Sequence, residues 1–142
     1  TKAAEMVESM AIEGPGMMSI LQLSNKVVSA KGEDYPNEFI QAVIAKVNEL
    51  LLSDDELESN PMIFVTLGRL QWTAGDKEAA IASAGKATKA ANQKKDKLYL
   101  VGAFEEFETS VKNGELMENS DLIAALRAAK EEKDAAAAPA SE

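Results

Sequence analysis

Seven residues, Ser53-Asp-Asp-Glu-Leu-Glu-Ser59, hold the densest group of carboxylates in the chain: Asp54, Asp55, Glu56 and Glu58. Carboxylates at that density can hold calcium, but a calcium loop spaces its ligands at alternate positions around a central glycine. This stretch has neither feature, so it reads as a solvated loop or helix cap. Glu105, Glu106 and Glu108 lie close together in "EEFE". A glycosidase-type pair needs two carboxylates facing one cleft, whereas this spacing gives an acidic outer helix face. "GPGMM" (Gly14 to Met18) lacks the Gly-Lys-Ser/Thr of a phosphate loop. The chain has no histidine and no cysteine. The commonest acid/base group, the commonest metal ligand and all thiol chemistry are therefore missing. The sequence predicts no catalytic residue, no metal site and no cofactor.

The remaining chemistry is that of surfaces. Lys86, Lys89, Lys94, Lys95 and Lys97 cluster near the end of one predicted helix. They complement the negative end of its dipole, and form a minor patch where an anionic group could dock. Trp72 is the sole tryptophan, and Arg69 precedes it by one helical turn. Tryptophan, tyrosine and arginine are the residues that most often anchor protein interfaces.

Charge limits the partners. The 142 residues carry a net charge of −9, which disfavours nucleic acid, whose binding needs a basic face, and anionic lipid. Residues 1–60 hold 11 acidic and 4 basic residues, a net of −7, while residues 61–142 hold 13 and 11, a net of −2. A partner of the first half should be neutral or basic. No apolar run approaches the ~20 residues of a membrane span. These features predict a soluble chain, cytoplasmic or, after processing, periplasmic or secreted.

Helical periodicity positions these residues. Aromatics make up 5% of the chain, so alanine supplies much of the apolar content, and alanine is the best helix former. Apolar residues spaced three and four apart define about seven helices. The clearest stripe is Ile40, Val43, Ile44, Val47, Leu50 and Leu51, on a helix opened by Pro36. Breaks fall at "EGPG", at "KGED", at Asn60-Pro61, at Gly75-Asp76, at "NQKKD" and at "KNGELMENS". Ser120 or Asp121 can cap the last helix. From Asp134 onward no large apolar residue remains, and residues 134–142 read as a frayed end and a disordered Ala/Pro tail. The fold class is all-α, with residues 1–133 as a single domain of antiparallel hairpins.

Residues 61–94 resemble a tetratricopeptide repeat, a helix-turn-helix unit of about 34 residues. With Pro61 as its first position, Phe64, the Leu67-Gly68 pair, Gly75-Asp76 at the turn, Ala80 and Ala87 stand where the family's motif has them. Gln71, Ala84 and Asn92 depart from it, standing where tyrosine, an aromatic and proline are usual. Leu98, Val101 and Gly102 repeat the spacing of Phe64, Leu67 and Gly68 and mark a partial repeat over 95–130. Helices two and three form a third, degenerate pair, leaving helix one over. The resemblance implies that Gly68 and Ala80 are small so that paired helices can touch. It also implies that the first helices of successive units lie side by side and form a concave groove. Carried onto this sequence, the groove positions include Met62, Val65, Thr66, Arg69, Trp72 and Thr73, then Asp96, Tyr99, Leu100, Ala103, Glu106 and Phe107. Arg69, Trp72, Tyr99, Ala103 and Glu106 are the expected partner contacts. The family's Lys/Asn clamp for a C-terminal carboxylate has no counterpart, since Val65 and Arg69 hold those places.

The function these features imply is a non-enzymatic interaction scaffold that binds a protein or peptide on its concave face. A second class is a C-terminal helical extension of a larger enzyme, for instance a redox (thioredoxin-like) or transferase enzyme, that serves dimerisation or domain positioning. The non-Met start, the unpaired first helix and the Ala/Pro tail suit that class, which brings homo-oligomers among the partners.

Overall fold

A computed structural model describes residues 2–10, 15–29 and 35–137. Within them the chain forms seven α-helices: α1 Lys2–Glu8, α2 Pro15–Ser29, α3 Asn37–Ser53, α4 Pro61–Thr73, α5 Lys77–Asn92, α6 Val101–Lys112 and α7 Asn119–Ala137. Two 3-10 helices, Asp55–Ser59 and Lys95–Leu100, join α3 to α4 and α5 to α6. No strand occurs among the described residues, and none of their helices is long and apolar enough to cross a membrane. The breaks expected at Glu13-Gly14 and Lys31–Asp34 lie outside the described residues.

Local chemistry sets the helix ends. The Asn60 side chain accepts a hydrogen bond from the Met62 N–H (3.0 Å), and Pro61 opens α4; proline lacks an N–H at a position where one would go unpaired. Asp76 caps α5 through the Ala79 N–H (3.1 Å). Asp54 accepts from the Glu56 N–H (3.0 Å), so the densest carboxylate stretch begins with a cap and runs on as a 3-10 turn. Gly75 lies at φ +89° and Gly114 at φ +82°, a region where other residues meet steric strain.

One core runs through the elements. Val43, Val47 and Leu50 of α3 are fully enclosed. They pack against α1 on one side and against α2 and α4 on others. Helix α1 is therefore not left over: Ala4 and Val7 join this core, and the buried Lys46 of α3 donates to the Met10 carbonyl (2.8 Å) while pairing with Glu49 (3.1 Å). Helix α5 packs against both α4 and α6. Its inner face is almost all alanine: Ala80, Ala84, Ala87, Ala90 and Ala91 are buried. Gly68 meets this face, where an added Cβ would sit 3.4 Å from the Ala80 carbonyl oxygen and 3.6 Å from the Ser83 Cβ. Small residues on both helices let their backbones approach.

The chain differs from the expected repeat further on. Residues 95–100 do not begin a long helix; they form a 3-10 helix with a non-helical Lys97 (φ −128°, ψ 27°). Gly102, one 34-residue period after Gly68, is exposed with nothing within 4 Å of an added Cβ. Helix α7 extends to Ala137, so residues 134–137 form the helix end within the stretch read as a frayed end and tail. Asp134–Ala136 are exposed there, and the alanine run sustains the helix by propensity alone. Residues 138–142 lie outside the described residues.

Candidate partner-binding site

The five residues expected on a concave groove do not share an open surface. Arg69 is 5% exposed and Ala103 is buried in the core. The Arg69 guanidinium lies over the Phe107 ring, 5.1 Å from its centroid, and its Nε and Nη2 are buried without a hydrogen-bond partner. Desolvation pushes its pKa down to about 10, against the opposing pull of the Glu118 charge. Trp72 is half-buried with the Lys77 Nζ 4.9 Å from its ring centroid, and Tyr99 is half-buried under Lys133 of α7 at 4.5 Å. Among the five, only Glu106 is exposed.

The reason is tertiary. α2 packs along α4, and the start of α7 approaches the same face. Leu21, Asn25 and Val28 of α2, Met62 and Thr66 of α4, and Asn119 and Ile123 of α7 enclose a recess of about 340 Å3 there. The α6–α7 connection brings Leu116 and Met117 against the core, and the Met117 N–H donates to the Ser110 hydroxyl (3.1 Å). Of the predicted groove positions on α4, Met62 and Thr66 line this recess, whereas Val65 and Arg69 are buried.

A larger concavity lies on the other side, between α3, the first 3-10 helix, α4 and α5. This groove, of about 510 Å3, is lined by Asn48, Leu51 and Leu52 of α3, Glu58, Phe64 of α4, Lys86, Lys89 and Ala90 of α5, and Gln93 just after it. Its volume falls in the range of ligand-binding clefts, ~300–1,000 Å3. Phe64 and Ala90 are buried, Leu51 is half-buried and Leu52 is 86% exposed. Leu50, Leu51 and Leu52 are consecutive, and successive helical residues turn by about 100°. Three leucines in a row cannot all face one core: Leu50 is enclosed and Leu52 points outward. That was the readable signal for this site. The remaining lining residues come from separate elements, and their proximity is not written in any local pattern. The lysine cluster noted in the sequence contributes Lys86 and Lys89 to one wall.

The other ionic groups are accounted for locally. Glu108 of the "EEFE" stretch pairs with Lys112 at 3.0 Å. Burial acts to raise its pKa, but hydrogen bonds from Lys112 and Thr88 together with the Lys112 charge prevail and hold the carboxyl below its ordinary value. Among the described residues no three carboxylates gather in a way that could hold a metal ion. No protein-family model, curated protein or solved structure matches the chain.

Proposed function

We propose that the chain is a helical protein-interaction module whose docking site is the α3–α5 groove. The observation that carries this reading is Leu52, a large apolar side chain 86% exposed at the edge of a groove floored by Phe64 and Ala90. An isolated exposed leucine needs no explanation, but one beside an apolar concavity extends a contact surface. The acidic groups noted in the sequence act as caps, ion pairs or solvated charge, which leaves shape and apolar area as the means of recognition. The tetratricopeptide-like hairpin α4–α5 then supplies one wall of the site.

Helical peptides displayed on phage and selected on the immobilised chain test this reading. Leu52→Asp should weaken the selected binders about tenfold or more, as loss of an interface anchor does. Met6→Ala, at another exposed apolar position, should leave them unchanged. Binders indifferent to Leu52→Asp would move the site elsewhere.

A further inference from the structure

We infer that the occupant of the groove is an amphipathic helix of a partner protein, with an apolar ridge and an acidic edge set against α5; this rests on the groove being the docking site. The α5 wall carries Lys86 and Lys89, one turn apart, with Ala90 and Gln93 on the same stripe. Both lysines are exposed, and neither hydrogen-bonds nor ion-pairs among the described residues. Four other lysines are engaged, Lys46 with Glu49, Lys112 with Glu108, Lys77 on Trp72 and Lys133 on Tyr99; what sets Lys86 and Lys89 apart from the remaining lysines is that they line the groove. Acids outnumber bases 24 to 15 in the chain, yet α5 places no acid one turn from Lys86 or Lys89. Those positions hold Ala82, Ser83, Gly85, Ala90, Asn92 and Gln93. Glu58, the one acid among the lining residues, comes from the 3-10 helix that packs against α5. The charged lining is therefore net basic, with both cations along α5, which favours an acidic edge on an amphipathic helix facing α5. An extended peptide has no sheet edge to join among the described residues, so the helix-in-groove mode is the one the architecture offers.

Three synthetic helical peptides of about four turns test the inference. They share leucines at i, i+3, i+4 and i+7 and differ only along one edge, which is Glu, Gln or Lys. Binding is read by fluorescence anisotropy and located by amide chemical-shift changes. The Glu peptide should bind at the groove about three- to tenfold more tightly than the Gln peptide at low salt, with the advantage shrinking as salt rises. The double variant Lys86→Glu/Lys89→Glu, which alters only exposed residues, should reverse the preference in favour of the Lys peptide. Equal binding of all three peptides at the groove would overturn the acidic-edge inference and leave the docking site standing. Peptide shifts confined to other surfaces would overturn both. Saturation of the groove by a fatty-acid anion that excludes the Glu peptide would replace the partner helix with a lipid ligand. A concentration-dependent dimer abolished by Leu52→Asp would make a second copy of the chain the occupant and overturn the inference.

Discussion

Helices α4 and α6 end in the same way, and their continuations diverge. In both, a glycine in the left-handed region turns the chain, and the next N–H reaches back to the helix: Asp76 to the Gln71 carbonyl (2.9 Å) and Glu115 to the Ser110 carbonyl (2.8 Å). After Gly75, Asp76 caps α5 at once, and the two helices close along an alanine face. After Gly114, four residues intervene before α7, and among its described side chains only Leu122 is fully enclosed. The lesson is that a turn signal fixes where a helix stops, while the pairing of the next helix depends on the face it brings. Helix α5 presents small residues on one stripe. Helix α7 packs Ala125 and Leu126 only partly against the core, and Ala124, Ala128, Ala135 and Ala136 are exposed.

The largest effect should come from the residue that joins the two regions. Phe107 of α6 is fully enclosed, under the Arg69 guanidinium and beside Gly68. Phe107→Ala should cost about 3–5 kcal/mol in urea unfolding, from lost transfer energy and a cavity. A loss under about 1 kcal/mol would show that α6 is attached as loosely as α7.

The next test sets the two helix pairs against each other. Ala80 is completely buried between α4 and α5, and Ala80→Leu should cost about 1–3 kcal/mol by overpacking. Ala128 of α7 is exposed, and Ala128→Leu should stay within about 0.5 kcal/mol. Similar melting temperatures for the two variants would mean that α5 and α7 are packed alike.

Glycine substitutions sharpen it at finer scale. Gly75→Ala and Gly114→Ala should each lose about 1–2 kcal/mol, because both put a Cβ in the left-handed region. Gly102→Ala, exposed within α6, should gain about 0.5–1 kcal/mol from helix propensity. At Gly68 an added Cβ would lie 3.4 Å from a carbonyl oxygen, the near edge of ordinary contact, so Gly68→Ala leaves no slack and should gain no more than Gly102→Ala. A larger gain at Gly68 would mean that the α4–α5 approach is not tight.

The smallest effect is electrostatic. The Glu108 pKa is held below its ordinary value, so its contribution is present above the unfolded-state pKa and lost as pH falls through the folded one. The pair with Lys112 is partly solvated, and Glu108→Gln should cost no more than about 1 kcal/mol at neutral pH. The difference from the unsubstituted chain should vanish on acidification. A difference that grows at low pH would contradict the assignment.

By itself the sequence determined the helices, most of their ends and the small-residue seam. Each follows from short-range physics: apolar spacing along Ile40 to Leu51, the Asn60 and Asp76 caps, the glycine turns and the alanine stripe of α5. Propensity carries α7 past Asp134 to Ala137, within the stretch read as a frayed helix end. Only the tertiary structure decided which helix faces remain open. The 34-residue spacing set Gly102 beside Gly68 in register, but the 3-10 helix at Lys95–Leu100 shifts α6 out of it. Arg69 lies on the α4 face expected to be a groove, and it is buried because α6 supplies the Phe107 ring and the α6–α7 connection brings Glu118 near. The α3–α5 groove arises where four elements meet, and burial there depends on contacts between residues far apart in sequence. Periodicity reports the face a helix hides, and it does not say which neighbour hides it.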